Sequence, residues 1–154
     1  MINPKDAIRF TNVVSCKYSF HYSDFNNVMQ DFVESIVAHN VNVKGPMFYS
    51  INNIPLDEEV NAEFFMPIHE DQISEQDGMN FHSYFSIEDM VSICIYANFE
   101  EHTEVAYAAL IEYIEQNDLK MVTPIFHVVS GDETLQYIHI KIGVAQKELQ
   151  ELWK

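Results

Sequence analysis

The stretch that decides the fold is residues 123–144, TPIFHVVSGDETLQYIHIKIGV. Two runs rich in β-branched and aromatic residues, 124–129 and 135–144, flank a short polar segment at 130–133. This pattern predicts two antiparallel strands joined by a turn. The preceding run at 102–117 has apolar residues at helical spacing and predicts an amphipathic helix.

The same order of patterns occurs in the first half of the chain. A β-rich run at 13–20 precedes a helical pattern that begins near Phe25 and ends near Asn40. Two further strands are expected at 47–51 and 61–68, because both runs are apolar and bounded by Gly, Pro and Asn. In the second half, residues 90–96 predict a strand ahead of the helix, and residues 1–12 and 81–85 are expected to be lead-in segments;. The two halves therefore share the order strand, helix, strand, strand.

We interpret residues 1–154 as a single domain with two copies of this unit. The copies are expected at about 8–69 and 81–145, and the acidic, unpatterned segment 70–80 is the predicted linker. Residues 146–154 predict a short C-terminal helix. Five apolar residues of the second long helix are predicted to face the core: Val105, Ala108, Leu110, Ile111 and Ile114.

Composition restricts the function classes. The chain carries 24 acidic and only 8 basic residues, for a formal charge of −16, which argues against a nucleic-acid partner and suits a cationic ligand or a basic protein;. No apolar run is long enough to cross a membrane, and polar residues interrupt the N-terminus, so we expect a cytoplasmic protein. The two cysteines, Cys16 and Cys94, are expected to be buried reduced thiols.

Several short motifs fit a known family. They are Ala-Tyr at 106–107, Pro-Ile-Phe-His at 124–127, the strand at 138–144 and its first-copy counterpart, Ala-Glu-Phe-Phe-Met-Pro-Ile at 62–68. Together they span about residues 8–145 and resemble the gyrase-inhibitor-like small-molecule-binding superfamily, the effector-binding domain also found on multidrug-sensing transcription regulators. This chain resembles a divergent, free-standing member.

The resemblance implies an α+β fold with one curved antiparallel sheet, helices on its convex face, and a concave ligand groove between the two halves. In that family a carboxylate on the last strand commonly faces the ligand. His139 stands at that position here, Lys141 follows on the same face, and Gly143 replaces the usual proline. The histidine and the lysine favour an anion or a neutral polar ligand over a cation.

Alternation along the strands predicts which side chains face the groove. The aliphatic residues 138, 140, 142 and 144 are expected against the helices, so their neighbours face the other way. Seven residues are predicted to bind the ligand: Tyr49, Glu63, Phe65, His127, Tyr137, His139 and Lys141. The alternative is that the sheet simply exposes one polar face to water.

We therefore predict a non-catalytic domain that binds a small molecule of unknown identity, with no cofactor, no catalytic residue and no metal site. A Glu63–His139 acid–base pair is the conceivable basis for a hydrolase, and His127 with His139 would need a third ligand to hold a metal. The alternative function is an acidic protein-interaction module, an adaptor or chaperone-like protein, with type VII secretion in Gram-positive bacteria as a minor hypothesis. The sequence leaves the oligomeric state open.

Overall fold

A computed structural model describes residues 1–53, 58–74, 78–96, 99–131 and 134–152. The elements in chain order are β1 (Ile2–His21), a 3-10 turn (Tyr22–Asp24), α1 (Phe25–Val37), β2 (Phe48–Ile51), β3 (Glu59–Pro67), β4 (Met79–Ile95), α2 (Phe99–Gln116), β5 (Leu119–Gly131), β6 (Gln136–Gln146) and α3 (Leu149–Leu152). The predicted α+β class is confirmed, with antiparallel strands and two long helices.

The strands β1 and β4 are much longer than predicted, because each one includes its expected lead-in. The reason is a local break in the alternation of side chains. Asn12 in β1 and Asp89 in β4 have positive φ angles, 57° and 56°. Such a residue shifts the phase of the strand, so that the apolar pattern before it does not continue into the pattern after it.

The chain forms two compact units. The first unit comprises residues 9–86, and the second comprises residues 1–8 together with 87–154. Both have the order strand, helix, strand, strand that the sequence predicts. The unit boundaries differ from the predicted copies, because the start of β1 belongs to the second unit and the start of β4 to the first. Descent from a duplication remains a prediction.

In the first unit, β3 lies between β1 and β2, and both pairings are antiparallel. The helix α1 buries Phe32 and Ile36 completely, as its helical spacing predicts. Its aromatic residues pack on Phe64 of β3, whose ring lies 5.7 Å from the rings of both Phe25 and Phe32. Tyr18 of β1 joins this cluster, 5.6 Å from Phe64.

In the second unit, β6 lies between β4 and β5, again with antiparallel pairing. The helix α2 buries Ala106, Leu110 and Ile114 in one cluster with Ile140 and Ile142 of β6. These three helix positions are four residues apart and form a single stripe. Of the five α2 residues predicted to face the core, Leu110 and Ile114 are thus placed correctly.

The prediction was wrong for the other three apolar residues of α2. Val105 is 68% exposed, Ile111 is 45% exposed, and Ala108 is exposed as well. They lie off the stripe that Ala106 begins, so the helix turns them toward solvent.

The ends of the predicted organisation also differ. The C-terminal helix α3 is a single turn, Leu149–Leu152, and its two leucines are 72% and 46% exposed. Trp153, expected in this helix, lies outside the described residues. The predicted linker ends earlier than expected, because β4 already begins at Met79. Among the helices that the structure describes, none has the length and apolarity required to cross a membrane.

Candidate functional site

Strand pairing in the second unit defines which residues of β6 share a face. Ile140 and Ile142 point toward α2, so Tyr137, His139 and Lys141 lie on the opposite face. We call this opposite face the polar face. His139 lies between Cys94 of β4 and Val128 of β5 in the pairing register.

Lys141 is held by a hydrogen-bonded network on the polar face. Its Nζ lies 3.2 Å from Asp6 Oδ1 and donates a 2.8 Å bond to the carbonyl oxygen of Ala7. The second carboxylate oxygen of Asp6 accepts a 2.6 Å bond from Ser92 Oγ. The Lys141 and Asp6 side chains are only 14% and 20% exposed, so the lysine is largely committed to this contact.

The carboxyl group of Asp6 is stabilised in its charged form. Burial alone would raise its pKa, but hydrogen bonds from Ser92 and the Ala7 N–H, with the charge of Lys141, lower the pKa below its ordinary value;. The ion pair is therefore retained at neutral pH.

His139 is half-buried beside this pair and favours its neutral form. Burial lowers its pKa below the ordinary value, and the nearby Lys141 charge lowers it further, while Asp6 opposes the shift. The His139 ring meets Tyr137 edge to face at 5.5 Å, and Tyr137 lies 6.0 Å from Tyr96. The result is a neutral imidazole bordered by the phenol ring of Tyr137, which in turn contacts the ring of Tyr96.

Two of the predicted groove residues lie on the other face of their strands. Tyr49 pairs with Phe64 across β2 and β3 and packs 5.1 Å from Phe25 of α1. His127 pairs with Ile140 and hydrogen-bonds through Nε2 to the Tyr107 hydroxyl of α2. Both face the helix of their own unit, which corrects the prediction that they line the same face as Glu63 or His139.

The correction has one physical reason in both units. The strands β2 and β5 carry apolar or aromatic residues on both faces, so alternation alone cannot tell which face meets the helix. The register of pairing decides it: Phe48 is opposite Phe65, and Phe126 is opposite Lys141. Phe48 and Phe126 thus occupy the face on which Tyr49 and His127 were expected.

The matching face of the first unit is closed by aromatic packing. Phe65 is 2% exposed and stacks on Phe48 at 4.6 Å with nearly parallel rings, and Phe85 lies 4.9 Å from Phe65. Glu63 lies on the same face, opposite Lys17 and Ser50 in the register. A ligand would have to displace stacked rings to contact Phe65.

A polar contact borders these rings. Ser15, which is fully buried, shares a 2.9 Å hydrogen bond with Nε2 of His82. Ser15 and Ser92 each follow a positive-φ residue by three positions. The two units thus place a buried serine at the same point, with a histidine partner in one and an aspartate partner in the other.

Sequence reasoning missed Asp6, the counter-ion of Lys141. It lies in a polar segment that was expected to be a lead-in, and 135 residues separate it from Lys141. Tyr107 was noted only as part of a motif.

The other potential sites are a metal centre, the two cysteine thiols and a cleft in the first unit. Within the described ranges, no group of three or more His, Cys, Asp or Glu residues has a metal-binding arrangement. Cys16 and Cys94 are free thiols, the first buried and the second half-buried. An open cleft of about 490 Å³ in the first unit is lined by His39, Glu70 and Ile73 among others, and it contains none of the predicted site residues.

The family described as a domain of unknown function, DUF5085, matches residues 9–146 of this chain. No curated protein matches the sequence.

Solved structures show the same fold at low sequence identity. The C-terminal domain of EcmrR aligns with 93% of this chain and 98% of its own, with a TM-score of 0.71 and 11% identity. EcmrR in a complex with DNA aligns with 94% of this chain, with a TM-score of 0.72 and 12% identity, and this chain spans 59% of its length. SAV2435 bound to tetraphenylphosphonium aligns with 96% of both chains, with a TM-score of 0.53 and 12% identity. These likenesses are consistent with the gyrase-inhibitor-like fold.

Proposed function

This chain belongs to the DUF5085 family of domains of unknown function, and from that premise we propose that it is a small-molecule-binding domain whose ligand contacts the polar face of the second unit. Tyr137, His139 and Lys141 carry this proposal. They are half-buried on a strand face that points away from α2. A site of this kind combines aromatic contact area with a few oriented polar groups.

The contrast between the two units is the main supporting observation. In the first unit the corresponding face is filled by stacked rings, including Phe48 and Phe65. In the second unit the same face carries tyrosine, histidine and a lysine–aspartate pair, all held by defined contacts. Burying polar groups in this way is unfavourable unless they are hydrogen-bonded, and the network of Asp6, Ser92 and Lys141 meets that condition.

The structural neighbours support binding of a small molecule in general. SAV2435, which shares the fold, is bound to tetraphenylphosphonium in its structure. At 12% identity the likeness transfers the fold and not the ligand. The assignment of a ligand to this chain therefore rests on the residues of the polar face.

We propose binding without turnover. The hydroxyl of Ser92 donates a hydrogen bond to the carboxylate of Asp6. A carboxylate whose pKa is lowered below its ordinary value is a poor base for activating a serine nucleophile;. Ser92 thus acts as a hydrogen-bond donor that fixes the carboxylate.

A thermal-shift screen of drug-like compounds tests the proposal. Compounds that stabilise the parent protein should lose their effect on Tyr137→Ala and keep it on Tyr84→Ala, because Tyr84 is 61% exposed and lies in the first unit. A bound compound should also slow alkylation of Cys94, which is opposite His139. If the compounds stabilise Tyr137→Ala as much as the parent protein, the ligand does not bind at the polar face.

A second candidate function is the binding of a basic protein segment to α2. Four glutamates lie on one side of this helix, because their spacings correspond to nearly whole helical turns. All four are exposed: Glu101, Glu104, Glu112 and Glu115. Exposed Val105 and Ile111 lie among them. An acidic face with apolar residues suits a basic amphipathic segment.

This candidate predicts salt-sensitive capture of a basic partner from native cells. A double variant, Glu104→Lys with Glu112→Lys, should abolish the capture, whereas Tyr137→Ala should leave it intact. Capture that survives both the charge reversal and high salt would count against α2 as the binding surface.

A further inference from the structure

The described residues of the polar face present no net charge to a ligand. Lys141 is its cation and Asp6 its anion, and their side chains lie 3.2 Å apart. Lys141 also donates to the Ala7 carbonyl, and Asp6 also accepts from Ser92. Each charge is therefore matched by a partner on the protein itself.

His139 adds polarity without charge. Because burial and the Lys141 charge hold its pKa below the ordinary value, the imidazole is neutral at pH 7 and above. A neutral imidazole presents one N–H donor and one acceptor nitrogen. It can thus recognise a hydroxyl, a carbonyl or an amide with a single hydrogen bond.

The remaining surroundings are apolar or aromatic. Tyr137 lies against His139, and Tyr96 lies against Tyr137. Val128, which pairs with His139 on β5, is 6% exposed, and Phe126 two residues earlier is 4% exposed. Both are already covered by the protein, so the aromatic contact area for a ligand comes from the tyrosines. Ring stacking and edge-to-face contacts with the tyrosines favour a flat aromatic ligand.

We infer that this site selects an uncharged aromatic ligand carrying one hydrogen-bonding group directed at His139, and that it discriminates against organic cations and organic anions alike. The inference rests on the proposed small-molecule function and names the class of ligand. A charged ligand would lose water without gaining a counter-charge, unless it separated Lys141 from Asp6. Breaking a largely buried pair leaves the other partner uncompensated, which is strongly unfavourable.

A matched series of probes tests the charge preference directly. The probes are 2-naphthol, which is neutral, 2-naphthoate, which is an anion, and 2-naphthylmethylammonium, which is a cation; tetraphenylphosphonium is added as a bulky lipophilic cation. Binding to the intact chain is measured by calorimetry at pH 7.5. We expect the dissociation constant of 2-naphthol to be at least about tenfold lower than that of each charged probe.

Two variants of the ion pair sharpen the test. Asp6→Asn leaves the Lys141 charge without its counter-ion and should shift the preference toward 2-naphthoate. Lys141→Met leaves Asp6 charged and should shift it toward the ammonium probe. Circular dichroism verifies that each variant is folded. Because each variant predicts its own shift in preference, the other variant still tests the inference if one of them fails to fold.

The outcomes separate the two proposals. If a charged probe binds the parent as tightly as 2-naphthol, and Tyr137→Ala abolishes that binding, the ligand class is wrong and the binding site stands. If no probe binds the parent, or if Tyr137→Ala binds them as the parent does, the location of the site on the polar face is wrong as well.

Discussion

The backbone N–H of Gly143 donates a 2.8 Å hydrogen bond to the side-chain oxygen of Thr123. A Cβ atom added to Gly143 would lie 2.4 Å from Thr123 Cγ2 and 3.0 Å from Oγ1. Thr123 lies in the irregular part of β5, where the register shifts between Met121 and Ile125. Glycine therefore occupies this position because the threonine side chain takes the space of a side chain on β6.

Gly143→Ala should destabilise the protein by about 1–3 kcal/mol, the usual range for an overpacked site. The same change in a Thr123→Ser background should be less harmful, since serine removes the Cγ2 methyl group and keeps the hydroxyl. Urea unfolding of the four proteins of this double-mutant cycle gives the coupling energy. An equal loss in both backgrounds would show that the Thr123 contact does not dictate the glycine.

The face of β6 follows from sequence, whereas the faces of β2 and β5 do not. On β6 one set of alternating residues is wholly aliphatic, so Ile140 and its neighbours identify the helix side. On β5, Phe126 and His127 are both suited to burial, and the structure buries both. Alternation gives two choices in such a strand, and only pairing with β6 selects one.

Long-range polar contacts were also beyond the sequence. Nothing local marks Asp6 as the partner of Lys141, because this pairing depends on the start of β1 belonging to the second unit. In contrast, the strand and helix order was predictable, since each element has its own periodicity. The limits of β1 were not, because Asn12 interrupts its alternation.

The buried pair of Tyr107 and His127 predicts a stability loss at high pH. Burial raises the pKa of Tyr107 to about 12, above its ordinary value of about 10. A raised folded-state pKa favours the protonated phenol, so its contribution is complete below pH 10 and is lost as pH rises from 10 to 12. Stability measured by urea unfolding should fall less steeply over this range in Tyr107→Phe than in the parent.

The control for this prediction is the neutral range. At pH 7 Tyr107→Phe should itself cost about 1–3 kcal/mol, because His127 loses a buried hydrogen-bond partner. If the free energy of unfolding falls equally between pH 10 and pH 12 in Tyr107→Phe and in the parent, groups other than Tyr107 cause the pH dependence.

The positive-φ residues of β1 and β4 should tolerate glycine and reject valine. Asn12 and Asp89 hold φ near 57°, in a region that β-branched side chains avoid. Asn12→Val and Asp89→Val should each reduce stability by about 1–2 kcal/mol relative to the matching glycine variant. Thermal unfolding of the four variants measures this, and valine variants as stable as the glycine variants would contradict the strained geometry.

The Asp6 carboxylate should make the protein less stable as the pH falls into the acid range. Burial would raise its pKa, but Ser92, the Ala7 N–H and Lys141 together lower it below 3.8. A lowered folded-state pKa gives a contribution that is present above pH 3.8 and is lost as pH falls through the folded value. Asp6→Asn should therefore flatten the acid limb of the stability curve, measured by urea unfolding from pH 5 to pH 2. A variant with the parent's acid limb would contradict this role.

His139 should link stability to pH in a higher range. Its folded-state pKa lies below 6.5, chiefly because burial disfavours the imidazolium ion and also because Lys141 is close. The neutral form is favoured in the folded state, so stability is undiminished above pH 6.5 and is lost as pH falls from there through the folded value. His139→Gln should lose less stability than the parent between pH 7.5 and pH 5, as measured by urea unfolding.

The matched control is His102→Gln, because His102 is exposed on α2; this variant should keep the parent's profile. A parent and a His139→Gln protein with the same profile would show that the imidazole is not held neutral by its surroundings, and the charge balance of the polar face would then need to include a protonated histidine.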